Sequence, residues 1–140
     1  MSDLVLGIDP APLSFAVPMR CATKSRPRVT SKGTYMPKAY QQWKSDFSIY
    51  ARAVHLRMFP GDVSVSIIAQ FKQVPRGDAD NYAGAVLDAL NGITWADDKQ
   101  VKDLRIQVVR GAVDMIAVDI QEWQHSDNQV FRNHNTCAQV

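Results

Sequence analysis

The chain has 140 residues, a net charge of +2, 46% hydrophobic residues and 21% charged residues. This composition indicates one soluble globular domain and excludes a disordered chain. No apolar run approaches the roughly 20 residues of a membrane helix, and no secretory signal is visible, so we expect a cytoplasmic protein without membrane partners. Cys21 and Cys137 are expected to be free thiols.

The first half of the chain predicts one strand and one helix. Residues 1–12 show no periodicity and are expected to be a loose lead-in, followed by a short apolar strand over residues 13–19. Residues 20–33 are rich in Lys, Arg, Ser, Thr and Pro, which predicts a flexible basic loop. Apolar residues then recur at spacings of three and four, which predicts an amphipathic helix with Pro37 in its first turn. These residues are Tyr40, Trp43, Phe47, Tyr50 or Ala51, and Val54.

The second half predicts a strand, a second helix and a final pair of strands. Residues 63–72 alternate between apolar and polar side chains, as in a half-buried strand. A helix is expected from Asp80 to a left-handed stop at Asn91-Gly92, and residues 104–120 predict a terminal hairpin with a turn near Gly111. Residues 124–140 are polar, and we expect a frayed tail there. This order predicts an α+β fold, a small mixed sheet with two main helices packed on one face.

Charge is distributed unevenly along this predicted fold. No acid lies between Asp9 and Asp46, whereas the acids concentrate from Asp78 to Asp103. A basic segment opposite an acidic pocket suits a polyanionic substrate and acids that hold metal. A solvated loop that binds nothing is the alternative for the basic segment. Its cations are Arg20, Lys24, Arg26, Arg28, Lys32, Lys38 and Lys44.

The acids form two tight pairs, Asp78 with Asp80 and Asp97 with Asp98. Residues i and i+2 of an extended segment share a face, so Asp78 and Asp80 can point at one place where the strand gives way to the helix. The second pair returns after a helix and a turn, and we expect Asp78, Asp80 and Asp98 to converge on one cation. Carboxylate oxygens suit Mg²⁺, which retains waters for a phosphate substrate. Helix capping is the alternative role for Asp80.

Metal-assisted hydrolysis is favoured over covalent catalysis, because no Ser–His or Cys–His arrangement is evident. His55 lies on the long predicted helix, and His125 and His134 lie in the tail without zinc-finger spacing.

The ordered motifs resemble those of the RusA family of Holliday-junction resolvases, small homodimeric endonucleases common in phages and prophages. The similarity extends from about Leu13 to Trp123 and predicts one RusA-like nuclease domain over residues 1–123. The matching segments are Arg26-Pro27-Arg28, Gly33-Thr34-Tyr35, Asp78-Ala79-Asp80-Asn81, Asp88-Ala89-Leu90 and Trp95-Ala96-Asp97-Asp98-Lys99-Gln100-Val101.

The resemblance implies a Mg²⁺-dependent enzyme, with Mn²⁺ as an alternative ion, that nicks four-way DNA junctions symmetrically during recombination and repair in a bacterial or phage-infected cell. It implies that Asp78, Asp80 and Asp98 form the catalytic, metal-binding triad and that Asp97 assists in metal binding. Asn81 and Lys99 are expected to support the site. We expect DNA contacts from Lys24, Arg26, Arg28, Lys32, Lys38 and Arg76, and a structural hydrogen bond from Asp88.

Gly84 departs from the family pattern, in which a lysine lies four residues after the second motif aspartate. A glycine inside a helix costs about 1 kcal/mol relative to alanine, which suggests close approach of another group. Another cation, such as Lys72, Arg76 or Lys99, can replace the lysine, or the branch of the family does not need it. A third hypothesis is a junction-binding protein with weak or lost catalysis. A phosphohydrolase acting on nucleotides is a further alternative, which leaves the basic segment without a role.

Overall fold

A four-stranded mixed sheet with two helices forms the frame of the protein. A computed structural model describes residues 11–54 and 57–124. The elements in chain order are β1 Leu13–Val17, β2 Arg28–Thr30, β3 Gly33–Tyr35, α1 Lys38–Arg52, β4 Val63–Phe71, α2 Ala79–Leu90, a 3₁₀ helix Asp98–Gln100, β5 Val101–Arg110 and β6 Met115–Glu122.

The strand order in the main sheet is β1-β6-β4-β5. Strand β4 lies in the interior, parallel to β5 and antiparallel to β6, and β1 pairs with β6 in antiparallel fashion. A parallel pair needs a long crossover, and α2 provides it between β4 and β5. The predicted α+β class, with a mixed sheet and two helices, is confirmed.

The core lies between one face of the sheet and the two helices. Val63, Val65, Ile67, Ala69 and Phe71 alternate along β4 and are all buried, as the period of two predicts. They belong to the same apolar cluster as side chains of both helices, so both helices cover that face. Ile68, on the opposite face of β4, remains 39% exposed.

The predicted terminal hairpin is wrong, because β4 lies between β5 and β6. The short connection between β5 and β6 crosses the end of β4, so the two strands do not pair with each other. Gly111 donates its N–H to the carbonyl of Phe71, and a Cβ at Gly111 would collide with the side chain of Gln70. Sequence proximity favours pairing of successive strands, but β5 and β6 both pair with β4, the strand with the most buried residues.

The predicted basic loop also differs from the structure. Strands β2 and β3 form a separate two-stranded hairpin within residues 28–35, with Thr30 paired to Gly33. Gly33 has φ +125°, which only glycine adopts readily, and this allows the tight reversal. The hairpin carries no buried residue, so the apolar periodicity used to find strands is absent from it.

Element ends shift by a few residues. Strand β1 ends at Val17 instead of residue 19, before Pro18. Helix α1 ends at Arg52, so Val54 lies outside it, and Ala51 is the buried alternative to the exposed Tyr50. Pro37 is the residue before the helix instead of a member of its first turn.

Several predictions lie outside the described residues, namely most of the lead-in, residues 125–140 of the tail, His55, His125, His134 and Cys137. The boundary of the domain at residue 123 stays a prediction. Among residues 11–54 and 57–124, no helix has the length and apolar character to cross a membrane.

Candidate nucleic-acid interface

The first acidic pair flanks the start of α2. Asp78 is the residue before the helix, and its backbone carbonyl accepts hydrogen bonds from the N–H groups of Asn81 and Tyr82, both at 3.1 Å. Asp80 lies in the first turn, so the alternative that Asp80 caps the helix is wrong. The side chain of Asp78 makes no capping hydrogen bond, and both carboxylates are exposed. Negative charge at a helix N-terminus is favourable, and these oxygens remain available to a ligand.

The turn before α2 is fixed by close packing around Gly77. The N–H of Gly77 donates to the hydroxyl of Tyr82 at 2.8 Å, and a Cβ at Gly77 would collide with Thr23 and Tyr82. The Tyr82 ring packs against Phe71, with ring centroids 4.9 Å apart. The start of α2 therefore lies beside the end of β4.

A groove of about 760 Å³ opens next to this helix start, and we call it the basic groove. Its cationic side chains are Arg20, Lys24 and Arg76, and the carboxylate residue Asp78 also lines it. Positive charge focused in a concave surface attracts a polyanion. The remaining lining residues are Cys21, Ala22, Thr23, Ser25, Ala39, Tyr40, Trp43, Gly77, Asn81 and Tyr82.

The three groove cations differ in how far they are committed to other partners. Arg20 lies 3.9 Å from the carboxylate of Asp114 and stacks over the Phe71 ring, 4.7 Å from its centroid. Within the described ranges, Lys24 and Arg76 form no salt bridge with any carboxylate. No described carboxylate therefore competes with an anionic ligand for these two cations.

The other predicted DNA contacts lie along the exposed segment that leaves the groove. Arg26 precedes the β2–β3 hairpin, Arg28 begins β2, Lys32 lies in the turn between the strands, and Lys38 is the first residue of α1. All four are exposed. The hairpin also exposes Val29, at 80% of its surface. This combination of charge and open apolar surface suits contact with a macromolecule.

The second acidic pair lies in a more constrained place. Asp97 caps the 3₁₀ helix by accepting a hydrogen bond from the N–H of Lys99 at 2.9 Å. Asp98 accepts a hydrogen bond from the indole N–H of the fully buried Trp95 at 2.8 Å. The Gln100 amide donates to carbonyls just before β4 and fixes the turn against the sheet.

The two pairs lie at opposite ends of α2. Its first turns pack near the end of β4. The chain after its last turn contacts the segment just before β4, where the carbonyl of Thr94 accepts a hydrogen bond from the N–H of Phe59 at 2.7 Å. Twelve helical residues span about 18 Å. A single chain thus does not bring Asp78, Asp80 and Asp98 together. Across the described ranges, no group of three or more His, Cys, Asp or Glu side chains is placed to hold a metal ion.

The donor chemistry nevertheless suits a hard cation. Asp78 and Asp80 offer exposed carboxylates beside the amide of Asn81, and oxygen ligands are those that Mg²⁺ and Mn²⁺ accept. Within residues 11–54 and 57–124, these are the only carboxylates at the start of α2, so a cation bound there would take its remaining ligands from elsewhere. The metal-binding roles of Asp78, Asp80, Asp97 and Asp98 stay predictions.

Asp88 plays the structural part expected from the sequence. Its carboxylate accepts a hydrogen bond from the Tyr40 hydroxyl at 2.8 Å and lies 3.2 Å from the Lys44 ammonium, and so ties α1 to α2. Burial, together with the hydrogen bond to Asp88, raises the pKa of Tyr40, so this hydroxyl remains a donor. Burial likewise raises the pKa of the Cys21 thiol to about 12, against a smaller opposing effect of Arg20. Cys21 is thus an inert thiol in the groove wall.

Sequence reasoning missed the wall formed by Tyr40, Trp43 and Thr23. The helical spacing of Tyr40 and Trp43 indicated core, and Tyr40 is indeed buried, yet both line the groove. It also missed that Lys24 packs across Gly84. The unfavourable glycine in the helix was the signal that pointed to such a contact.

The fold and groove define a small α+β protein with cations and a carboxylate on one concave surface, an arrangement that suits a polyanionic ligand. The family model described as Endodeoxyribonuclease RusA matches residues 18–121, most of the chain, and the protein belongs to this family. No curated protein matches the chain significantly. Membership implies a nuclease that acts on Holliday junctions and therefore binds branched DNA.

Proposed function

We propose that this protein is a Mg²⁺-dependent, structure-selective endonuclease that resolves four-way DNA junctions by paired symmetric nicks. The observation that carries the proposal is the basic groove, in which Arg20, Lys24, Arg76 and Asp78 line one concave surface at the start of α2. Phosphodiester backbone is the polyanion that fits such a groove, and the exposed basic hairpin extends it. The proposed setting is DNA recombination and repair in the cytoplasm of a bacterial or phage-infected cell.

The separation of the acids supports a homodimer. We infer that Asp78 and Asp80 of one chain act with Asp98 of a second copy, because one chain places these residues at opposite ends of α2. A two-fold dimer has an isologous interface, so it would contain two such sites. Two sites related by a two-fold axis match the near two-fold symmetry of a four-way junction and account for paired nicks.

The proposed roles follow from residue chemistry. Asp78, Asp80 and Asp98 would hold the cation, with Asp97 as a neighbouring ligand, and a bound Mg²⁺ would activate water and offset charge on the phosphate. Asn81 and Lys99 lie next to these carboxylates along the chain and would support them by hydrogen bonding and charge. Lys24, Arg26, Arg28, Lys32, Lys38 and Arg76 would contact the DNA backbone.

A junction-binding protein with weak or lost catalysis is the second candidate. Gly84 favours it, because the helix itself provides no cation at that position. Cleavage therefore has to be measured separately from binding.

The test is cleavage of a synthetic four-way junction in the presence of Mg²⁺ or Mn²⁺. We expect paired nicks with 5′-phosphate ends that a ligase can reseal. Asp80→Asn should abolish them, whereas Asp46→Asn, which removes an equal charge on α1, should not. If wild type binds the junction but does not cut it, the second candidate replaces the first. A flat dependence of affinity on salt would instead favour a nucleotide substrate.

A further inference from the structure

We propose that Lys24 is the cation of the acidic site at the start of α2, and that the lack of a side chain at Gly84 makes room for the side chain of Lys24. An ideal Cβ at Gly84 would lie 3.1 Å from Cδ, 3.4 Å from Cβ and 3.8 Å from Cγ of Lys24. The aliphatic stem of Lys24 therefore lies directly on the helix surface where another residue would project its own side chain. This inference rests on the proposed nuclease function and assigns its phosphate-contacting lysine.

The position of Lys24 is fixed by its backbone. Its N–H donates to the carbonyl of Asn81 at 2.9 Å. Nearby, the Cys21 thiol donates to the carbonyl of Tyr82 at 3.7 Å, and the indole N–H of Trp43 donates to the carbonyl of Arg20 at 2.8 Å. The segment before Lys24 is thus held against the first turns of α2 and against α1. Lys24 therefore lies on a segment that hydrogen bonds hold against the helix, and not on a free loop.

The helical register places this lysine beside the acids. Gly84 lies four residues after Asp80, so both share one face of α2. Lys24 and Asp78 also line the same groove. The stem of Lys24 lies on the face of α2 that carries Asp80, and from there the flexible end of the side chain can carry its ammonium to the carboxylates at the start of α2. There it would offset repulsion among the carboxylates and contact the phosphate that is cut.

The ammonium of Lys24 is available for this role. Within residues 11–54 and 57–124 it forms no salt bridge, unlike Arg20, which is paired with Asp114. Lys72 and Lys99 do not line the groove. Arg76 does, and it is the competing candidate, but the three atoms nearest to a Cβ at Gly84 all belong to Lys24.

The principal test keeps the stem and removes the charge. Lys24→Met should leave the melting temperature unchanged, since a methionine can still cover Gly84, yet lower the cleavage rate at saturating junction by about 100-fold or more. Lys24→Arg should retain part of the rate. Arg105→Ala removes an equal charge outside the groove and serves as the matched control.

A relocation experiment tests the geometry itself. Lys24→Ala combined with Gly84→Lys restores an ammonium to the same face of α2 from the helix, so cleavage should recover at least tenfold over Lys24→Ala alone. Lys24→Ala combined with Ser45→Lys adds the same charge at an exposed position of α1 outside the groove and should not recover, which excludes a general effect of added charge.

Binding gives a readout that does not depend on cleavage. In metal-free buffer, Lys24→Met should reduce the slope of log affinity against log salt by about 1, because one phosphate contact is lost. Adding Gly84→Lys to Lys24→Ala should restore this slope. An unchanged slope, or a cleavage rate equal to that of Arg105→Ala, would overturn the assignment of Lys24. If wild type fails to cut any junction, the nuclease proposal fails, while the slopes still decide whether Lys24 contacts a phosphate.

Discussion

The two acidic pairs of this protein have the same residue type but opposite surroundings. At the start of α2, Asp78 and Asp80 are exposed, and Asp78 makes no capping hydrogen bond and lines the basic groove. At the 3₁₀ helix, Asp97 and Asp98 are already engaged, one as a cap and the other with the indole of Trp95. One pair is open to a ligand, and the other is held in place by the fold.

This difference shows that adjacent carboxylates need not act alike. A hydrogen bond from a buried indole orients Asp98 and leaves its second oxygen for another partner, as supporting groups do for metal ligands. No described residue supports the carboxylate of Asp78 or Asp80 in this way, so the geometry of these two carboxylates depends on what binds them. We therefore expect variants at the two ends of α2 to fail in different ways.

The largest expected effect tests whether the two ends act across subunits. Asp80→Asn and Asp98→Asn should each abolish cleavage, because every site would lack one proposed ligand. When the two variants are mixed and allowed to exchange subunits, a heterodimer would contain one intact site and one doubly altered site. Single nicks should then appear in the junction assay, without paired nicks.

The control for this mixture is Asp78→Asn mixed with Asp80→Asn. These residues belong to the same end of α2, so no intact site can form and activity should stay absent. If both mixtures remain inactive although exchange is demonstrated, the cross-subunit arrangement is excluded.

The next largest effect tests whether the exposed basic segment near the start of α2 binds DNA. Neutralising Arg26 and Arg28 together should weaken junction affinity about tenfold or more and reduce the salt slope by about 2, because each exposed cation would contribute one phosphate contact. The melting temperature should hardly change, since neither side chain is buried. Equal affinity in the double variant would refute this role, and Lys102→Ala with Arg105→Ala provides a charge-matched comparison on β5.

The smallest expected effect is a loss of stability at Asp97, and it distinguishes a capping role of this residue from a metal-binding role. Asp97→Ala should lower the free energy of unfolding by about 1 kcal/mol, because the 3₁₀ helix loses its cap. Asp97→Asn should keep that stability, since asparagine caps as well as aspartate. Denaturant unfolding measures both. If Asp97→Asn is stable but cuts more slowly, Asp97 is also a ligand, whereas unchanged cleavage restricts it to the cap.

The sequence determined much of this protein by local pattern. The alternation from Val63 to Phe71 predicted the central strand, and the spacing of Tyr40, Phe47 and Ala51 predicted the buried face of α1. Asn91-Gly92 predicted the end of α2, where Gly92 has φ +83°. The ordered acidic motifs predicted the family, which the match over residues 18–121 confirms.

The tertiary structure decided what depends on contacts between distant residues. Strand order is one such feature, because β5 and β6 both pair with β4, and no local pattern records which neighbour a strand will choose. The separation of Asp98 from Asp80 is another, since the parallel pairing of β4 and β5 sends the chain back along α2 before the second acidic pair. The contact between Lys24 and Gly84 joins residues sixty positions apart. The periodicity of apolar residues predicts which face of a helix or strand is buried. Which other element packs against that face depends on how the whole chain packs together.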